Sequence, residues 1–131
     1  MLREGPIPRF VHGLIEYAAA VILFAAPFVL TFDSNAATAA SIILGVVVLF
    51  VAASTEGSTS LANTIPLQAH VALDYVLAVA LIAMPFIAGF SSETAPTVFF
   101  IASGAAHLLV TIGTRFRGPD EAPRGRSRAA R

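Results

Sequence analysis

Apolar residues in this chain fall into four long blocks, separated by short polar stretches. The blocks run over approximately Phe10–Phe32, Ala36–Ala53, Leu67–Phe90 and Ala95–Thr114. A helix needs about 17–25 residues, rising 1.5 Å each, to cross some 30 Å of hydrocarbon. Every block meets that length, so the pattern predicts four transmembrane helices. The polar interruptions Asp33-Ser34-Asn35 and Ser91-Ser92-Glu93-Thr94 read as tight turns whose side chains cap the helix that follows. The connection between the second and third blocks is longer and more polar, and it ends in Thr64-Ile65-Pro66. There the Thr reads as a cap and the Pro as a first-turn residue, a part that Pro6-Ile7-Pro8 plays ahead of helix one.

The blocks are a duplication. His12-Gly13-Leu14-Ile15-Glu16-Tyr17 returns 58 positions later as His70-Val71-Ala72-Leu73-Asp74-Tyr75, and Pro27-Phe28, Phe32 and Ser34 return as Pro85-Phe86, Phe90 and Ser92. With a shift of one residue, Gly45 falls on Gly104 and Thr55 on Thr114. Each copy is a two-span hairpin, so both enter the membrane in the same direction as parallel repeats. The expected fold is an all-α integral membrane four-helix bundle. Its expected parts are an N-terminal segment 1–9, a first hairpin 10–54, a linker 55–66, a second hairpin 67–114 and a disordered basic tail 115–131.

Composition agrees with a membrane protein: 56% of the residues are hydrophobic and 12% charged, against about 25% charged in soluble domains. The zero net charge hides an asymmetry. Residues 1–10 carry a net +1, and residues 115–131 carry six Arg against Asp120 and Glu121. Between them stand no Lys or Arg and five acids: Glu16, Asp33, Glu56, Asp74 and Glu93. Basic flanks mark the cytoplasmic side. Both termini and the linker are thus expected inside, in a bacterial inner membrane, with the two turns outside. The first block resembles a secretory leader in its apolar run, but its copy in the second half argues that it is a retained helix. From Gly118 to Arg131 the tail is expected to anchor topology, and it holds no aromatic or structured partner for nucleic acid. With no cysteine, thiol catalysis, disulfides and thiolate metal sites are excluded.

Few residues carry chemistry. His12 with Glu16, and His70 with Asp74, are four apart and share a helix face. If the two faces meet across the bundle axis, they form a candidate proton or divalent-cation site. The structural reading is that each carboxylate serves the helix dipole and holds its own histidine near the headgroups, with Tyr17 and Tyr75 in the aromatic belt. His107 stands alone within helix four, where the first copy has Val48, as a candidate buried polar site. Pro27 and Pro85 are expected to kink helices one and three and to free the carbonyls of Leu23 and Leu81. Gly45 and Gly104 offer smooth surfaces for helix packing. No catalytic constellation or dedicated metal motif is present, and the expectation is a non-enzyme without a resident cofactor.

The motif Ile-Pro-x-x-x-His-x-x-x-Glu/Asp-Tyr, followed by a small residue, Pro, an aromatic and then Phe, resembles the bacterial SPW-repeat membrane proteins. It is carried by Ile7-Pro8, His12, Glu16-Tyr17, Ala26-Pro27-Phe28 and Phe32, and again by Ile65-Pro66, His70, Asp74-Tyr75, Met84-Pro85-Phe86 and Phe90. Ala-Pro-Phe and Met-Pro-Phe stand in place of the eponymous Ser-Pro-Trp. The resemblance implies a four-helix membrane protein and no particular activity. The leading functional expectation is a structural or accessory membrane protein that packs with itself or with a larger complex. The alternative is a small proton-coupled or ion-conducting carrier using His12, Glu16, His70 and Asp74. A haem-bearing electron-transfer subunit, with His12 and His70 as axial ligands, is the weaker third.

Overall fold

A computed structural model describes residues 5–116. It consists of four helices, α1 (Arg9–Val29), α2 (Asn35–Ser54), α3 (Leu67–Ile87) and α4 (Thr94–Gly113), flanked by two-residue strands β1 (Ile7–Pro8) and β2 (Thr114–Arg115). The helices contain 20 or 21 residues, about 30 Å at 1.5 Å per residue, and all four are apolar enough to cross a membrane. Large apolar side chains such as Val21, Phe28, Val76 and Leu109 point outward and are well exposed. In water such a surface would be a liability, whereas in a bilayer it is the lipid-facing side. The protein is a multi-pass all-α membrane bundle.

Packing is tightest within each hairpin, where α1 lies on α2 and α3 on α4. The glycines explain the close approach. A Cβ at Gly104 would stand 2.8 Å from the Ala78 carbonyl oxygen and 2.6 Å from Ile82 Cγ1, and one at Gly45 would stand 2.8 Å from the Phe24 ring. Between the hairpins a side-chain core forms from Ala20, Leu23, Ala37, Leu44, Val48, Leu81, Phe90 and Phe100. Pro27 and Pro85 lie inside α1 and α3, two positions before the last helical residue. The Leu23 carbonyl freed by Pro27 accepts a 2.6 Å bond from the buried Ser41 hydroxyl. The equivalent position in the second hairpin is Phe100, which has no hydroxyl to offer Leu81.

The turns differ from their sequence reading in one respect. Ser34 caps α2 by accepting from the Ala37 N–H, but Glu93 makes no cap bond to α4. Its carboxylate instead accepts from the backbone N–H groups of Asp33 (2.6 Å) and Ser34 (2.9 Å), in the turn of the other hairpin. Glu93 therefore ties the two turns together. Thr64 is likewise no helix cap: Pro66 precedes α3 without a side-chain cap, and the Thr64 hydroxyl donates to the Ser54 carbonyl.

At the opposite end the copies close on each other. Ile7 pairs in parallel with Thr114, and Pro8 with Arg115, while Ile65 pairs in parallel with Thr55. Each Ile-Pro entry is thereby held by the exit of the other repeat. Order consequently extends beyond the expected boundary of the tail. Arg115 lies in β2 and Phe116 is buried; the rest of the expected tail, and residues 1–4, fall outside the described residues.

Two measurements check this packing. Gly104→Ala is expected to cost about 1–3 kcal/mol through overpacking against backbone, and Gly45→Ala less because the Phe24 ring can turn; thermal unfolding in detergent ranks them. Thr31 adopts φ +51°, where its repeat partner Gly89 adopts +76°. A β-branched residue is strained there by about 1–2 kcal/mol, so Thr31→Gly is expected to raise the unfolding midpoint and Gly89→Thr to lower it.

Candidate functional site

The face rule that pairs residues four apart places His12 above Glu16 on α1 and His70 above Asp74 on α3. The pseudo-twofold then turns the two faces toward each other. Glu16 and Asp74 are 4% and 1% exposed, and both histidines 3%. Both carboxylates thus face the interior of the bundle.

The contacts cross between repeats. His12 Nε2 lies 3.1 Å from Asp74 Oδ2, and His70 Nε2 lies 3.2 Å from Glu16 Oε1. Within each repeat the corresponding distances are 3.6 Å for His12–Glu16 and 3.3 Å for His70–Asp74. One ligand atom from each of the four residues lies within 4.8 Å of the others. His107, read from the sequence as an isolated group, joins this centre, with its Nε2 3.6 Å from Asp74 Oδ1.

Two threonines set the direction of the imidazoles. The Thr55 hydroxyl is 2.7 Å from His70 Nδ1 and donates to the Val51 carbonyl at 2.6 Å. Thr114 repeats this, 2.8 Å from His12 Nδ1 and donating to the Val110 carbonyl at 2.6 Å. A hydroxyl has one proton, and the carbonyl takes it. Each Nδ1 must therefore be the donor, which leaves each neutral imidazole with its Nε2 lone pair directed at the carboxylates. The repeat register matches Thr55 with Thr114, and the signal for their role is a hydroxyl recurring in phase at the exit of each even helix. Phe116 completes the surroundings of the imidazoles without any signal in the repeat. It packs edge-on against His12 with ring centroids 5.2 Å apart, and lies 6.5 Å from His70.

A cavity of about 180 Å³ opens from the centre toward the linker, lined by His12, Glu16, His70, Thr55, Glu56 and Phe116 among others. Its rim is braced by Arg9, which donates to the Glu56 carbonyl at 2.7 Å, and by Tyr17, which donates to the Thr59 carbonyl at 2.7 Å. A second recess of about 150 Å³ between α2 and α3 reaches Glu16 and Asp74 from the side through Leu44, Val48 and Leu77. Toward the turns the centre is sealed by Ala20, Leu23, Leu81 and Phe100, all at most 3% exposed. The arrangement can hold positive charge between two carboxylates and two imidazoles.

No curated protein and no solved structure matches the chain significantly. Residues 10–114 match the family described as the SPW repeat domain. With both hairpins and every converging side chain inside that span, this chain belongs to the SPW repeat domain family.

Proposed function

We propose that this protein is a small accessory membrane protein whose two hairpins are held together by a buried centre that requires positive charge. The observation that carries the reading is the crossed set of contacts at 3.1–3.6 Å among His12, Glu16, His70 and Asp74. Two ionised carboxylates cannot share a low-dielectric interior uncompensated. Protons on the imidazoles, or a cation between the four groups, supply the compensation and join α1 to α3. The centre opens to the end that carries both described termini and the linker, which the basic flanks assign to the cytoplasm of a bacterium. The outward apolar faces are left to lipid, to a second copy or to a larger membrane complex. No catalytic step is assigned to the centre.

A carrier is the second reading, favoured by the linker-side cavity. The sealing layer of Leu23, Leu81 and Phe100 favours a site loaded and emptied from one side over a pathway through the bundle.

Asp74 faces both imidazoles and His107, whereas Glu16 faces two imidazoles. Asp74→Asn breaks a buried pair and is therefore expected to destabilise the chain in detergent by about 3 kcal/mol, and Glu16→Gln by less; thermal unfolding ranks them. Proteoliposomes of the native chain are expected to pass neither protons nor divalent cations faster than empty vesicles. A flux that disappears in the Glu16→Gln, Asp74→Asn double variant, with size-exclusion behaviour unchanged, replaces the accessory reading with the carrier.

A further inference from the structure

We propose that the charge at this centre is a zinc-class divalent cation, held tetrahedrally by His12 Nε2, Glu16 Oε1, His70 Nε2 and Asp74 Oδ2. The proposal rests on the reading of a centre that requires positive charge, and it names the ligand of that same site.

Hydrogen bonding alone leaves the geometry unexplained. His12 Nε2 and Asp74 Oδ2 are 3.1 Å apart, yet among the described residues both are fully buried atoms without a hydrogen-bond partner. An imidazolium N–H aimed at a carboxylate oxygen over that distance would be a bond. The two atoms face each other at that distance without a bond between them, which an ion shared by both would account for. The four His–carboxylate spacings are close to those of a shared ion, and all four ligand atoms lie within 4.8 Å of one another. Bonds of about 2.0–2.2 Å from zinc to nitrogen and oxygen place tetrahedral ligands about 3.3–3.6 Å apart. The four His–carboxylate separations are 3.1, 3.2, 3.3 and 3.6 Å.

The atoms behind the ligands are arranged for a metal. A ligating histidine usually donates its other ring N–H to an oxygen, which fixes the tautomer and the ring orientation. The Thr55 and Thr114 oxygens accept that bond from His70 and His12, and their own protons are committed to the Val51 and Val110 carbonyls. Both Nε2 lone pairs are thereby turned inward. His107 Nε2 stands 3.6 Å from the other oxygen of Asp74, which leaves Oδ2 to the four-residue cluster.

Charge and ligand chemistry then select the ion. Two carboxylates and two neutral imidazoles sum to −2, which one divalent cation cancels inside the bilayer. Two nitrogens and two oxygens suit zinc and its first-row neighbours. Calcium and magnesium require six or more oxygens and are not provided for. The ion has a route in through the linker-side cavity, where Glu16 and both histidines are reached.

The test uses the full chain purified in detergent, stripped with chelator and titrated with zinc alone. One zinc per chain is expected. Cobalt(II) in its place is expected to give the intense visible bands of a tetrahedral site, bleached by one equivalent of zinc. Thr55→Val and Thr114→Val keep all four ligands and are each expected to weaken zinc binding about 10–100-fold, with helical circular dichroism unchanged. The Glu16→Gln, Asp74→Asn variant is expected to bind none. A folded native chain that binds no more zinc than this double variant overturns the metal proposal. If Asp74→Asn is still strongly destabilising in that case, the charged centre stands with protons as its positive charge. If that destabilisation is also missing, both readings fall. Stoichiometric zinc binding that ignores both threonine substitutions overturns the assignment to these two imidazoles.

Discussion

Placing two carboxylates and two imidazoles within a few ångströms of each other, in a bundle built to sit in hydrocarbon, sets the terms for everything around them. A buried carboxylate costs several kcal/mol unless it is paired and its oxygens are satisfied. Here the partners of each carboxylate come from both hairpins, and the shorter approach to each is made by the imidazole of the other half. His12 is closer to Asp74 than to Glu16, and His70 closer to Glu16 than to Asp74. Apolar packing cannot supply this demand for the other half, because in a bilayer the alternative to helix contact is lipid of similar polarity.

Closure at the linker end follows the same crossed logic. Thr114, at the exit of the second repeat, holds both the Ile7 backbone and the His12 ring. Thr55, at the exit of the first, holds Ile65 and His70. Each threonine thus fixes the entry of one repeat and aims the imidazole that follows five residues later. At the other end Glu93 performs a related task without symmetry, binding the turn of the first hairpin. The bundle is tied at both ends by polar contacts, with an apolar core between them.

Departures from the repeat are where the copies have taken separate parts. His107 replaces Val48 and brings a fifth polar group to Asp74 alone. Ser41 answers the carbonyl freed by Pro27, while Phe100 fills the corresponding place with a ring that packs on Phe90 and Phe99. Thr31 holds a left-handed turn that Gly89 holds without strain. The asymmetry makes the two carboxylates inequivalent: Asp74 is the more deeply buried and the more heavily contacted.

Much of this was legible in the chain itself. Block lengths near 20 residues dictate membrane helices because backbone polar groups in hydrocarbon must be satisfied within the segment. The recurrence of His12–Glu16 as His70–Asp74 dictates two like faces, since a spacing of four is one helical turn. The family resemblance rested on the same residues. Convergence was beyond reach. Periodicity says which residues share a face, but the rotation of one hairpin about its axis decides whether two faces meet, and that is set by long-range contacts such as His70–Glu16 and His12–Asp74. For the same reason Glu93 read as a local cap, Thr55 and Thr114 as mere repeat landmarks, and His107 as solitary. Local spacing determined the helices and the pairs; only the tertiary structure, through crossed long-range contacts, decided that the pairs form one centre.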